Sequence, residues 1–264
     1  MKELEKFLGN KSLLGNVKKK EPYIFVCFPH GGSALPGVLK AYDDCAVKYK
    51  IYKKPQHKGD THYNWNCLWL EALEGREKYG YTDFCMFHAD VAADAGCVDT
   101  LKDLQIEYNA DVISCVIPIK DPRGLTSTGL RELGPPPFKA RRLTMKEIFT
   151  APETFSIKDF PSKQNICLAV NNGLWMIDIT KPWADKMPPF QSVYTWHCSK
   201  TKGRMVNWHS EDWLHSGWFA ENNLKVFATR KIGVEHEGKI VYSNKSVWGI
   251  WETDPQDDDP RIDA

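Results

Sequence analysis

Apolar positions along this chain fall into two alternating kinds of pattern. Residues 23–28 (YIFVCF) form a short unbroken apolar run that ends at Pro29-His30-Gly31-Gly32, which reads as a buried strand delivering into a loop. Residues 35–47 have apolar spacing near the helical period, and 48–53 alternate weakly as a second strand. In 62–76, Trp65, Leu68, Trp69, Ala72 and Leu73 recur at helical intervals, the stripe of an amphipathic helix. Residues 84–87 are apolar again and run into His88-Ala89-Asp90. Residues 95–108 return to helical spacing, and 111–119 (DVISCVIPI) form a further buried strand. Strands written as continuous apolar runs between helices imply an α/β chain with a mostly parallel sheet covered on both faces.

From 120 to 163 this pattern dissolves. Pro135-Pro136-Pro137, Arg141-Arg142 and scattered glycines predict a long irregular surface segment. Regular structure returns with strands at 166–170 (ICLAV) and 174–179 (LWMIDI). Residues 210–221 read as a helix with Ser210 as N-cap and Glu211 and Asp212 in its first turn, where negative charge is favoured. Short strands follow at 225–228 and 232–234, the second running into His236, and the Asp257-Asp258-Asp259 run reads as a solvated tail.

The composition excludes some classes. The chain has 264 residues, 42% hydrophobic and 26% charged, with a net charge of +1, which is not the signature of a disordered chain. No apolar run has the length of a membrane-spanning helix, and residues 1–20 lack the apolar core of a secretory signal. The eight cysteines have no CxxC pair, and Cys27, Cys85, Cys115 and Cys167 sit inside apolar runs. Both features predict reduced thiols and a cytoplasmic protein. Eight of the ten tryptophans lie beyond residue 170. That skew separates a Trp-poor first half from a Trp-rich second half.

In open α/β sheets ligands bind at the carboxyl ends of strands. Four polar groups fall at such ends: Pro29-His30-Gly31, His88-Ala89-Asp90, Asn172-Gly173 and Glu235-His236-Glu237. His88 and Asp90, two apart in an extended segment, point the same way. Carboxylate oxygen and imidazole nitrogen suit a divalent cation, with His236 able to close the set from another strand. A hydrogen-bonded turn is the other reading of His88 and Asp90.

The stretch 81–90 (YTDFCMFHAD), followed by a helix and then 111–118 (DVISCVIP), resembles the centre of GT-A-fold glycosyltransferases of the family-2 kind, where an apolar strand ends in an Asp-x-Asp motif. Residues 210–238 (SEDWLHSGWFAENNLKVFATRKIGVEHEG) resemble their later segment, in which a Glu-Asp pair opens a helix and a His-x-Gly closes a following strand. Residues 171–177 (NNGLWMI) resemble the Gly-bearing strand between them, and 59–73 their Arg-Asn-bearing helix. The resemblance implies a Rossmann-like, mixed, mostly parallel sheet flanked by helices over 23–240. It divides this into a nucleotide-sugar half (23–120), a variable segment (121–165) and an acceptor and catalytic half (166–240), with 1–22 an N-terminal extension and 241–264 a tail.

The resemblance also implies roles. Asp90 matches the last Asp of Asp-x-Asp, and His88 stands where the first would be. His236 matches the family's late histidine, so the implied ligands of Mn2+ or Mg2+ are His88, Asp90 and His236. Asp212, or Glu211 beside it, matches the general base that accepts the acceptor hydroxyl's proton. Pro29, His30, Asn66, His88 and Asp90 are the implied donor contacts for a nucleotide sugar, a UDP-sugar foremost, although Trp65 replaces the expected arginine. Gly173, Trp175 and Trp213 are the implied acceptor contacts, aromatic faces suiting sugars and flat rings. The acceptor is unknown, and DNA enters as a candidate because Lys18–Lys20, Lys139–Arg142 and Lys200–Arg204 form three basic groups. The competing readings are a carbohydrate-binding module without catalysis and a nucleotidyltransferase. The second fits poorly, because the loop after the first strand has no Lys or Arg. A metallohydrolase using His88, Asp90, His209 and His236 is a further reading, without a compact metal signature.

Overall fold

The computed structural model describes residues 21–30, 34–56, 60–161, 165–199, 203–238 and 240–254. Residues 1–20, Gly31-Gly32, Lys200 and the Asp257-Asp258-Asp259 run lie outside the described residues. The chain alternates as the apolar runs predict: β1 (Tyr23–Pro29), α1 (Pro36–Asp43), β2 (Lys50–Gln56), α2 (Thr61–Lys78), β3 (Asp83–Phe87), a short β4 (Val91–Ala93), α3 (Cys97–Glu107) and β5 (Val112–Cys115). It continues with β6 (Leu125–Glu132), β7 (Ala140–Thr144), α4 (Met145–Thr150), β8 (Thr154–Phe155), β9 (Ile166–Ala169) and β10 (Leu174–Asp178). Then come β11 (Val193–Ser199), β12 (Gly203–His209), α5 (Glu211–Glu221), β13 (Val226–Thr229), β14 (Val234–His236) and β15 (Tyr242–Ser243).

Seven strands form the central sheet in the order β2-β1-β3-β10-β5-β13-β8. Five run in one direction, while β10 and β8 oppose their neighbours. This is a mixed, mostly parallel, Rossmann-like α/β sheet. Alternation within each apolar strand feeds two cores, because successive side chains point to opposite faces. Phe25, Phe84, Met86 and Trp175 pack with Trp65, Leu68 and Trp69 of α2 and Phe219 of α5. Ile24, Val26, Cys85, Phe87 and Met176 pack with Val38 of α1 and Val98, Leu101 and Leu104 of α3. Burial of both faces is why β1, β3, β5 and β10 are largely apolar; the buried polar exceptions are Asp83, paired with Lys102 at 2.8 Å, and Ser114, which donates to the Asn171 carbonyl at 2.6 Å. Six cysteines, Cys27, Cys45, Cys85, Cys97, Cys115 and Cys167, are buried thiols.

The segment 120–163, expected to be irregular, is largely regular and partly buried. Strand β6 pairs with β7 and β9 in an antiparallel sheet, and Leu125 to Arg131 are all buried. The apolar pattern misses it because Thr126, Ser127 and Thr128 fill the strand. Small hydroxyls are buried at little cost once bonded: Thr126 donates to the Leu143 carbonyl at 2.8 Å and Ser127 to the Ile117 carbonyl at 2.8 Å. Arg131, 2% exposed, donates to the carbonyls of Glu132, Trp213 and Gly134. Residues 240–254 also pack back onto the body: Asn244 is 2% exposed and bonds Val116, Ile232 and Val234, and Asp254 accepts from the Arg142 amide at 2.7 Å.

Candidate active site

Antiparallel β10 lies between β3 and β5, and its first turn meets the end of β3. The His88 amide donates to the Gly173 carbonyl at 2.7 Å, and a Cβ on Gly173 would meet Asn171 Oδ1 at 2.6 Å and Ile117 at 2.7 Å. Glycine is therefore required here for close packing, and Gly173 is buried backbone rather than an open acceptor contact.

Beside this junction a cleft of about 260 Å³ is lined by Pro29, His30, Thr61, Trp65, His88, Ala89 and Asp90. Four of the five expected donor residues thus share one cleft. The fifth does not: Asn66 spends its side chain on structure, donating to the carbonyls of His62 and Phe190 and accepting from the Phe190 amide at 2.8 Å. Trp65, where the family pattern has arginine, stacks on His88 with centroids 5.0 Å apart and planes 17° apart. Burial pushes the His88 imidazole below its usual range, against the opposing pull of Asp90 and Glu211.

Of the three expected metal ligands, two converge. Asp90 Oδ2 lies 3.2 Å from His236 Nε2 and accepts from Lys120 Nζ at 2.7 Å. The other His236 nitrogen, Nδ1, sits 2.7 Å from the Pro118 carbonyl. A carbonyl only accepts, so Nδ1 carries hydrogen and Nε2 is directed at Asp90. His88 stands apart, its Nε2 facing Met86 Sδ at 3.2 Å. Burial works to raise the Asp90 carboxyl, but the His236 bond, the nearby imidazoles and Lys120 hold it well below the carboxylate range. Among the described residues no group of three or more His, Cys, Asp or Glu side chains is placed to hold a metal ion. His209 engages Thr195 at 2.9 Å and packs on Phe138, so the described geometry lends the four-residue metallohydrolase set no support.

Glu211 and Asp212 open α5 side by side, each 6% exposed. Asn172 donates to Glu211 Oε1 at 3.1 Å, and Asn171 to Asp212 Oδ2 at 3.4 Å. His62 Nε2 lies 3.3 Å from Glu211 Oε2, which also accepts from Ser192 at 3.4 Å. Ser210 does not cap α5 through its own oxygen; its hydroxyl instead donates to Asp212 Oδ1, which also accepts from the Trp213 amide at 2.8 Å. Burial first, and then the charge of Glu211, push the Asp212 carboxyl up to about 7 despite those bonds and nearby Arg142. His62 packs edge-on to Trp65 with centroids 5.4 Å apart. The series Glu211, His62, Trp65, His88 therefore links the acid pair to the cleft. The strand-end argument missed His62, Asn171, Ser192 and Lys120; Asn171 alone carried a signal, as the neighbour of Asn172-Gly173.

The two expected aromatic acceptor contacts are corrected. Trp175 is 0% exposed in the core between β10, α2 and α5, because a strand buried on both faces has no side from which its side chains reach solvent. Trp213, 9% exposed, wedges under Gly129 and donates its indole N–H to the Ser127 carbonyl at 3.0 Å. It joins α5 to β6, and the Arg142 guanidinium covers its ring at 5.0 Å.

No family model matches the chain, and no curated protein matches it. Among solved structures it is similar to A197 from STIV, at 13% identity over 88% of this chain and 98% of that one, with a TM-score of 0.47. It is similar to a UDP-N-acetylglucosamine pyrophosphorylase from Entamoeba histolytica, described there as putative, at 7% identity over 78% and 73%, TM-score 0.39. It is also similar to a CMP:2-keto-3-deoxy-manno-octonic acid synthetase complexed with CTP, at 10% identity over 79% and 89%, TM-score 0.38. Similarity at this level assigns no activity to this chain.

Proposed function

We propose that the chain is a glycosyltransferase of the GT-A kind that moves a sugar from a nucleotide-sugar donor, a UDP-sugar first among them, to an acceptor hydroxyl. One juxtaposition supports this most: a cleft at the strand ends with a buried carboxylate pair tied to it through His62. The donor lies in the cleft, its flat base within reach of Trp65 and the His30 loop. His88, kept neutral by burial, offers a hydrogen bond to a hydroxyl. Asp90 and His236 fit a divalent cation as a two-ligand half-site, and Mn2+ or Mg2+ bound there would neutralise charge on the departing diphosphate. Lys120, already against Asp90, adds a fixed positive charge beside it. The acid pair takes the acceptor's proton, Asp212 being near the pKa that suits a base at neutral pH, while Asn171 and Asn172 orient the two carboxylates.

The test is calorimetric titration of a panel of UDP- and CMP-sugars, with manganese and with EDTA. The proposal expects at least one to bind, and Asp90→Asn to weaken that binding tenfold or more. Absence of binding across the panel, or equal binding by Asp90→Asn, would contradict it.

A further inference from the structure

The hairpin β11–β12 pairs with no other strand among the described residues. Val193 faces His209 at its base and Ser199 faces Gly203 near its tip. Burial alternates along both strands. On the outer face Tyr194 sits opposite Trp208, Trp196 opposite Val206 and Cys198 opposite Arg204. Tyr194 is 68% exposed, Trp196 81%, Val206 51% and Trp208 58%. On the inner face Thr195 bonds His209, which packs on Phe138. An exposed apolar patch of this size on a two-stranded ribbon marks an interaction surface.

Charge narrows the occupant. Residues 193–209, the length of the ribbon, hold Lys200, Lys202 and Arg204 and no Asp or Glu, in a chain balanced overall at 35 basic and 34 acidic residues. A neutral glycan gains nothing from that excess, whereas a polyanion does. Same-face residues stand about 7 Å apart along a strand, and the Tyr194, Trp196 and Trp208 side chains are each more than half exposed.

We propose that this face binds single-stranded nucleic acid, bases stacking on Tyr194, Trp196 and Trp208 and Arg204 taking a phosphate. Rings on a β-surface combined with cations are the means by which sequence-tolerant strand binding is achieved. The ribbon's two feet flank the acid pair: Ser192, just before β11, bonds Glu211, and β12 ends one residue before the Ser210-Glu211-Asp212 turn. Presentation of a bound strand to that pair rests on the glycosyltransferase reading; the binding itself does not.

The test is fluorescence anisotropy of a labelled thymidine oligomer of about 12 nucleotides with the full chain, without donor or metal. Wild type is expected to bind, with Trp196→Ala and Trp208→Ala each weakening binding about tenfold. Arg204→Ala is expected to lower the slope of log affinity against log salt by about 0.7. These side chains are exposed, so an unchanged Tm serves as the folding check. Failure of wild type to bind, or equal binding by all three variants, would overturn the proposal. So would ribbon-dependent binding to phosphatidylserine vesicles without oligomer binding. Oligomer binding that survives a failure to bind any nucleotide sugar would overturn the proposed function and leave this inference standing.

Discussion

At the residue scale the molecule turns on Asp212. Its carboxyl is raised to about 7 by burial and by Glu211, so the ionised form that the proposed base role requires is populated above neutral pH and lost as pH falls through about 7. Turnover of the wild type is expected to rise across that window. Asp212→Asn should lose 10²-fold or more in kcat, the usual worth of a general base, and flatten the profile. The same shift bears on stability. A folded pKa above the unfolded one favours the protonated form, giving stability that is complete below about 4 and lost as pH rises to about 7. The Tm of Asp212→Asn relative to wild type should therefore be more favourable at pH 8 than at pH 4.5, and an equal difference at the two would refute the shift. Trp175 is a residue of another kind. Truncation to alanine empties a fully enclosed space and should cost about 3–5 kcal/mol in denaturant unfolding.

At the scale of elements, legibility followed the physics of burial. Strands β1, β3, β5 and β10 were readable because both faces are covered and nearly every position is apolar, with Asp83 and Ser114 the buried polar exceptions. Helix α2 was readable because one stripe faces the sheet. The start of α5 was readable from Glu211 and Asp212 in its first turn, although Ser210 binds Asp212 rather than capping. Strand β6 was not, because the buried hydroxyls of Thr126 and Ser127 are bonded to carbonyls that no sequence pattern displays, and the ribbon was not, because its inner face is only half-buried. The candidate site was legible where it sits at strand ends, as with Pro29, His30, Asp90 and His236, and opaque where it depends on partners distant in the chain, as with His62 and Ser192. Apolar aromatics could not be sorted between core and site by type alone, which is why Trp175 was misplaced. The joint between β6 and α5 gives a prediction. A side chain on Gly129 would meet the Trp213 ring at 2.8 Å, so Gly129→Val should destabilise by about 1–3 kcal/mol, measured by urea unfolding.

At the scale of the whole molecule, a mostly parallel sheet switches direction at β10 and gathers the cleft, the Asp90–His236 pair and the acid pair at one end of its central strands. Of the eight tryptophans beyond residue 170, Trp175 and Trp213 are buried and structural, Trp196 and Trp208 stand exposed on the ribbon, and the other four are half-buried. No helix among the described residues is long and apolar enough to cross a membrane. A donor bound at a hundredfold excess over its Kd should stabilise the fold by about 2.7 kcal/mol and raise Tm by several degrees. The same ligand should shift Asp90→Asn less. The most direct measurement is release of free nucleoside diphosphate from the nucleotide sugar that binds, followed in the presence of manganese for wild type and Asp212→Asn. The account predicts release by wild type, and its loss in Asp212→Asn while donor binding persists. Donor binding without any release by wild type, or release undiminished in Asp212→Asn, would contradict it.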